Sequence, residues 1–201
     1  MAQTEQPGAD GASSIFLIGM MACGKSTIGR ALADKLGWRF YDADRLIEER
    51  CGVPISYIFE KEGEAGFRAR ETQVLAELTA QKGVIVATGG GAPMFEINRR
   101  LLARGLVVQL AGTVSDIIER TRLDTSRPLL ACDDKVTRIR ELMLQRGPVY
   151  DACCNERVMT SRQNPAILAQ TILELPSVRQ TVVRGNAWLE QQRIQGDDHA
   201  S

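Results

Sequence analysis

The feature that most constrains the fold is the stretch at residues 19–27, Gly-Met-Met-Ala-Cys-Gly-Lys-Ser-Thr, which follows an apolar run. Two glycines separated by four residues and followed by Lys25 and Ser26 form the pattern of a P-loop. In such a loop, backbone N–H groups and the lysine bind the phosphates of a nucleoside triphosphate, and the serine hydroxyl can bind Mg²⁺. A glycine turn that merely enters a helix is the alternative. The strand pattern before the loop and the helical spacing after it favour the P-loop.

Composition limits the classes of protein to consider. The chain has 201 residues and 44% hydrophobic content, which is enough for one domain with a real core. It contains no apolar stretch approaching the roughly 20 residues of a membrane span, and residues 1–13 lack the regions of a signal peptide. We therefore expect a soluble cytoplasmic protein. Since 25 basic residues balance 25 acidic ones, no long-range positive field favours nucleic acid.

Cysteine and histidine usage argues against two kinds of chemistry. The five cysteines form no CxxC pair, and the single histidine, His199, lies close to the end of the chain. Zinc binding and histidine-based catalysis are therefore not expected. Cys23 within the P-loop could be a reactive thiol at a helix N-terminus, or a small residue that fills the loop. We expect the second role.

Strand and helix patterns alternate along the chain, which predicts a three-layer α/β sandwich with a five-stranded parallel sheet. The predicted strands are 14–18, 38–41, 84–87, 106–110 and 157–160, and the predicted helices include 25–36, 67–81, 95–104, 114–122, 135–150 and one that ends by residue 175. Residues 1–13 are predicted to be disordered, and residues 14–175 to form the domain. Residues 176–201 are predicted to form a tail outside the domain, with one docked helix as the alternative.

Charged residues and glycines mark three candidate parts of a binding site, two of them after predicted strands and one within the helix predicted at 67–81. Asp42 and Asp44 follow the second strand, which favours a ligand site. The alternative is a solvated turn for Asp42 and a helix cap for Asp44. Arg68 and Glu71 have i,i+3 spacing, so one can orient the other, or they form a surface ion pair. Three glycines at 89–91 exceed what a turn needs, which indicates that something packs against bare backbone.

Six motifs occur together in the order and spacing of the shikimate kinases. They are the P-loop, Phe-Tyr-Asp-Ala-Asp, Gly-Phe-Arg with a Glu three residues beyond the Arg, Ala-Thr-Gly-Gly-Gly, Arg-Pro-Leu-Leu and Arg-x-Pro-x-Tyr. Over residues 15–175 the chain thus resembles this family. The resemblance implies a P-loop nucleoside triphosphate hydrolase fold of the nucleoside monophosphate kinase type. It also implies a monomer that phosphorylates the 3-hydroxyl of shikimate with ATP and Mg²⁺, a step of chorismate and aromatic amino acid biosynthesis.

The resemblance also implies roles for individual residues, within a substrate-binding region at about 43–71 and a lid at about 123–134. The catalytic residues implied are Lys25, Asp44 and Arg127. The Mg²⁺ ligands implied are Ser26 and, through water, Asp42. The implied ATP-binding residues are Ala22, Cys23, Gly24, Lys25, Ser26, Thr27, Arg120, Arg127, Arg162 and Gln163. The implied shikimate-binding residues are Asp44, Arg68, Gly89, Gly90, Gly91, Arg146, Phe59 and Phe67, with Ile55 in the same apolar wall.

Some points stay open in the sequence. Asp44 could be a general base or only a positioning group. Ala22 stands where these P-loops usually have glycine, so a left-handed backbone there would carry a small steric cost. A different small-molecule kinase, such as a gluconate kinase, would share Lys25 and Ser26, but it would not require Arg68, the three glycines and Arg146 together. A nucleotide-binding regulatory module without catalysis is the other alternative.

Overall fold

The computed structural model describes residues 11–122, 134–160 and 163–198. Its sheet has five parallel strands, as predicted, and they lie in the order β2-β3-β1-β4-β5. The strands are β1 (Ile15–Ile18), β2 (Arg39–Asp42), β3 (Val84–Ala87), β4 (Leu106–Ala111) and β5 (Glu156–Met159). Their bounds differ from the predicted ones by one residue at most.

The helices cover both faces of this sheet. They are α1 (Lys25–Leu36), α2 (Ala43–Cys51), α3 (Ile55–Leu78), α4 (Glu96–Leu102), α5 (Val114–Thr121), α6 (Lys135–Cys153), α7 (Pro165–Glu174) and α8 (Pro176–Asp198), with a 3-10 turn at Ala92–Met94. The chain kinks inside α3 at Gly63, whose φ of 69° and ψ of −175° are not helical. The helix predicted at 67–81 therefore begins before Phe67, because α3 continues through Gly66. None of the described helices is long and apolar enough to cross a membrane.

The central strand β1 shows how the core is divided. Its four side chains are fully buried and alternate between two apolar clusters, one on each face of the sheet. Phe16 and Ile18 belong to the cluster beneath α2, α3 and α6, and Ile15 and Leu17 to the cluster beneath α1, α7 and α8. A strand buried on both faces reads as a continuous apolar run because successive side chains point in opposite directions.

The C-terminal segment is not a tail outside the domain, which corrects that prediction; the docked helix is the correct alternative. Val178 and Thr181 of α8 are fully buried. The indole Nε1 of Trp38 donates to Asn186 Oδ1 at 2.7 Å, and a Cβ added to Gly185 would collide with the same indole ring. The helix therefore covers the part of the core that lies beside the start of β2.

Candidate active site

The P-loop joins the carboxyl end of β1 to the start of α1, as the sequence predicts. Gly19 and Gly24 have positive φ values of 138° and 98°. At Gly19 there is no room for a side chain, because a Cβ would collide with the carbonyl oxygen of Leu110. The Lys25 ammonium donates to the carbonyl oxygens of Gly19 and Met20, both at 2.9 Å. The lysine charge thus lies directly over the loop that is built to hold phosphate.

Ala22 has the left-handed backbone that was expected to carry a steric cost. Its φ is 58°, and it is the one non-glycine residue with positive φ among the described residues. An L-residue in this region brings its Cβ close to the backbone, which costs roughly 1–2 kcal/mol relative to glycine. The neighbouring Cys23 is fully buried. Burial agrees with the expectation that this cysteine fills the loop.

Asp42 links the P-loop to helix α2. Its Oδ2 accepts a short hydrogen bond from the Ser26 hydroxyl, and its Oδ1 accepts from the backbone N–H groups of Asp44 and Arg45 at 3.2 and 3.3 Å. Asp42 is therefore the N-cap of α2. We predicted that Asp44 could be this cap, which is wrong because β2 extends one residue further than predicted.

The residues predicted to hold Mg²⁺ suit that ion chemically. A hydroxyl and a carboxylate are hard oxygen ligands, and Ser26 and Asp42 already touch. No group of three or more His, Cys, Asp or Glu side chains that could hold a metal occurs within residues 11–122, 134–160 and 163–198. Two protein ligands are nevertheless enough for Mg²⁺, which usually takes its other ligands from water and phosphate.

Arg68 and Glu71 form a buried ion pair, which excludes the alternative of a surface pair. Glu71 is fully buried and its Oε2 accepts from Arg68 Nη1 at 2.8 Å. Glu64 accepts from Arg68 Nε and Nη2 at 3.2 and 3.0 Å. The guanidinium carbon also lies over the rings of Phe67 and Phe95, 5.1 and 5.2 Å from their centroids. Two carboxylates and two rings thus fix the orientation of Arg68.

Glu71 has a strongly perturbed pKa. Burial raises the pKa of its carboxyl from 4.5 to about 7, and the charge of Asp44 adds to the effect, while Arg68 and Arg146 oppose it. The second oxygen, Oε1, is buried and has no hydrogen-bond partner among the described residues. The pair with Arg68 therefore does not fully compensate the buried charge.

The glycine turn at 89–91 is where these charged groups converge. A Cβ added to Gly89 would lie 2.6 Å from Glu71 Oε1 and 2.7 Å from Asp44 Oδ1. A Cβ added to Gly91 would lie 2.8 Å from the Arg68 guanidinium carbon. The prediction that something packs against this bare backbone is confirmed, because carboxylates and a guanidinium occupy that space.

Arg120, one of the predicted ATP-binding residues, connects two segments that are distant in the sequence. Arg120 donates to the carbonyl oxygen of Ala22 in the P-loop and to that of Thr160 just after β5, both at 3.1 Å. It therefore holds the P-loop beside the segment that leads to α7. Gln163 lies in this segment.

One cavity of about 760 Å³ unites the site. Every predicted site residue that the structure describes lines it, namely Ala22, Cys23, Gly24, Lys25, Ser26, Thr27, Asp42, Asp44, Phe59, Phe67, Arg68, Gly89, Gly90, Gly91, Arg120, Arg146 and Gln163, together with Ile55. Arg127, Arg162 and residues 123–133 of the predicted lid at about 123–134 lie outside the described residues.

The sequence analysis did not identify Phe95 or Tyr150 as neighbours of the site, and it gave Glu71 only as a residue that could orient Arg68. Tyr150 belongs to the Arg-x-Pro-x-Tyr motif and Glu71 to the motif that begins at Gly66, so their motifs were a usable signal. Phe95 belongs to none of the quoted motifs. Its contact with Arg68 depends on the fold alone.

Comparisons with known proteins agree with this geometry. A sequence model of the shikimate kinase family matches residues 21–176. The shikimate kinase of Halorhodospira halophila is 51% identical over 163 residues, which cover 81% of this chain and 92% of that protein. That of Pseudoalteromonas atlantica is 47% identical over 162 residues, with coverages of 80% and 95%. The solved structure of shikimate kinase from Acinetobacter baumannii in complex with shikimate has a TM-score of 0.79 and 44% identity, covering 81% of this chain and 92% of that one.

Proposed function

The chain belongs to the shikimate kinase family, and we propose that it transfers the γ-phosphoryl group of ATP to the 3-hydroxyl of shikimate within the cavity described above. One observation carries the assignment of this reaction to this cavity. A single cavity joins the P-loop to Arg68, Arg146 and Asp44, so a nucleotide and an anionic, hydroxyl-rich acceptor can bind side by side.

The donor half of the site is the P-loop with its neighbours. We propose that the loop amides and Lys25 bind the phosphates of ATP, and that Arg120 and Gln163 frame the adenine. Ser26, and Asp42 through water, would hold Mg²⁺, which supplies positive charge to the phosphate oxygens when it is bound. Arg127 and Arg162 keep the roles that the family resemblance implies for them, in the lid and beside the adenine.

The acceptor half is defined by charge. We propose that Arg68 and Arg146 bind the carboxylate of shikimate, because a guanidinium presents two parallel N–H donors to a carboxylate. The partners of Arg68 hold its guanidinium before the acceptor arrives, which reduces the entropy lost on binding. Phe59 and Phe67, whose ring centroids lie 4.9 Å apart, would form the wall against the carbon ring.

Asp44 is proposed to accept a hydrogen bond from the reacting hydroxyl. This contact would aim an oxygen lone pair at the γ-phosphorus, which is the main requirement of a loose phosphoryl-transfer transition state. Lys25 and Arg127 would neutralise charge on the transferring group. Catalysis then consists mainly of positioning and electrostatic stabilisation. Since this chain alone supplies both halves of the site, we also propose that the protein acts as a monomer. The cytoplasmic location expected from the sequence remains part of the proposal.

The test of the proposed function is an acceptor screen. ADP release is coupled to NADH oxidation with Mg-ATP and either shikimate or gluconate as acceptor. We expect turnover with shikimate and none with gluconate, and Lys25→Ala should abolish it while leaving the fold intact. Turnover with gluconate alone would overturn the proposal. Binding of both ATP and shikimate without product would instead establish a regulatory module.

A further inference from the structure

Tyr150 lies behind the cavity, where its donor and acceptor halves meet. It is 2% exposed and does not line the cavity. Its hydroxyl donates a short hydrogen bond to the carbonyl oxygen of Gly90 and lies 3.8 Å from the sulfur of Met20 in the P-loop. Tyr150 therefore contacts the backbone of the glycine turn on one side and the P-loop on the other.

The peptide that Tyr150 holds is one that the local sequence leaves unrestrained. This peptide joins Gly90 to Gly91, and two glycines without Cβ atoms allow it to rotate with little steric resistance. A residue with a side chain at either position would restrict the rotation, but a Cβ at Gly91 would collide with Arg68. Packing thus requires glycine at position 91, and the orientation of the peptide must be fixed by another group.

Fixing the carbonyl also fixes an amide. A trans peptide is planar, and its C=O and N–H bonds point in opposite directions. Because the Gly90 carbonyl points at Tyr150, the Gly91 N–H points to the other side of the peptide, and Gly91 lines the cavity. Hydrogen bonds in this turn run from Ala92 N–H to Gly89 O and from Met94 N–H to Gly91 O. The Gly91 N–H donates no backbone hydrogen bond of this kind in the described part of the chain.

Tyr150 also lies next to a proposed acceptor-binding group. Arg146 precedes it by one turn of α6, so the two side chains lie on the same helix face. Burial raises the pKa of Tyr150 to about 12, and the Arg146 guanidinium opposes this rise only in part. The phenol consequently keeps its proton at neutral pH and remains a donor to the Gly90 carbonyl.

We propose that Tyr150 is a positioning residue for the acceptor, whose hydroxyl locks the Gly90–Gly91 peptide so that the Gly91 amide donates to the acceptor between Arg68 and Arg146. The inference rests on the proposed function, since it places shikimate in this cavity. It adds a group that touches no substrate and acts through the backbone.

The test compares wild-type protein with Tyr150→Phe, which removes only the hydroxyl. Loss of one buried hydrogen bond predicts an increase in KM for shikimate of about fivefold to twentyfold, with KM for ATP changed less than about twofold. Tyr41→Phe, which removes a hydroxyl from a half-buried tyrosine on β2, should change neither constant. A purely structural role for Tyr150 would lower the melting temperature and the active fraction without moving KM for shikimate. That result would overturn the proposal.

A second measurement uses the wild-type protein only, so it does not depend on the folding of a variant. In protein labelled with ¹⁵N-glycine, shikimate should shift the Gly91 amide resonance strongly and slow the exchange of its proton with solvent. An unchanged Gly91 resonance at saturating shikimate would overturn the inference. If wild-type protein fails to phosphorylate shikimate at all, the proposed function fails first, which separates the two outcomes.

Discussion

Replacing Glu71 by glutamine should make the protein more stable at alkaline pH and leave it almost unchanged at acidic pH. The carboxyl of Glu71 has a pKa of about 7 in the folded protein, compared with 4.5 when it is unperturbed. A carboxyl whose folded pKa is raised binds its proton more tightly in the folded state. Its stabilising contribution is therefore fully present below pH 4.5 and is lost as the pH rises to about 7.

The size of the effect follows from the two pKa values. Each pKa unit corresponds to about 1.4 kcal/mol, so the rise predicts a loss of about 3 kcal/mol between pH 4.5 and pH 8. Glutamine is a neutral isostere of the protonated acid. Its amide can keep the hydrogen bond from Arg68 and present N–H donors towards Asp44, next to which Glu71 Oε1 has no hydrogen-bond partner in the described ranges.

The assay is urea unfolding of wild-type protein and of Glu71→Gln across this pH range. Titration of all other groups cancels in the difference between the two, which should grow by about 3 kcal/mol in favour of the variant. Glu77→Gln is the control, because Glu77 is exposed on the same helix and its hydrogen bond with Arg50 lowers its pKa. That variant should gain nothing as the pH rises. A difference for Glu71→Gln that stays constant within about 0.5 kcal/mol would refute the argument.

Three further predictions follow from other parts of the chain. Ala22→Gly should raise the free energy of unfolding by about 0.5–1 kcal/mol, because the strain relieved at the left-handed alanine exceeds the entropy cost of glycine. The control Ala31→Gly in α1 should instead lower the free energy of unfolding by about 1 kcal/mol. Urea unfolding that ranks the two variants in the opposite order would contradict this prediction. Removal of residues 177–201 exposes Trp38 and should cost about 4 kcal/mol, seen as a lower melting temperature or loss of folded protein; an unchanged melting temperature would show that α8 contributes nothing. Arg68→Lys should raise KM for shikimate more than about tenfold with KM for ATP unchanged, because lysine cannot form the bidentate contact; an effect on ATP alone would count against the assignment.

The fold could be predicted because its determinants are local. The glycines and Lys25 of the P-loop follow an apolar strand directly. Strand β2 ends at Asp42, and strand β4 is followed directly by Gly112. The docking of helix α8 was predicted only as an alternative, because its buried face includes Thr181 and Gly185, which weaken the apolar pattern. Its partner Trp38 lies 148 residues earlier than Asn186, and no local signal reports a contact over that distance.

The sequence predicted which residues line the cavity, but it did not predict their burial or all of their partners. An i,i+3 spacing of Arg68 and Glu71 is the same for a surface pair and a buried pair. The decision depends on Phe95 and on the glycine turn, which reach the pair only in the folded chain. In the same way, Asp42 and Asp44 are equally good helix caps by residue type. The end of β2 selects Asp42, and strand ends are uncertain by a residue or two in any pattern-based prediction.

The glycine turn explains why charges of both signs can lie so close together in this cavity. Carboxylates of Asp44 and Glu71 fill the space beside Gly89, and the Arg68 guanidinium fills the space beside Gly91. A side chain at Gly89 or Gly91 would displace one of these groups, so the backbone there has to be bare. Bare backbone is also free to rotate, and this freedom is what makes the hydrogen bond from Tyr150 necessary. Glu71 and Tyr150 thus both contact the glycine turn, but they act on different properties of it. The proposed effects of the two residues should therefore be separable. Glu71 acts on the charge balance and therefore on the pH dependence of stability, whereas Tyr150 acts on the direction of one amide and therefore on acceptor binding.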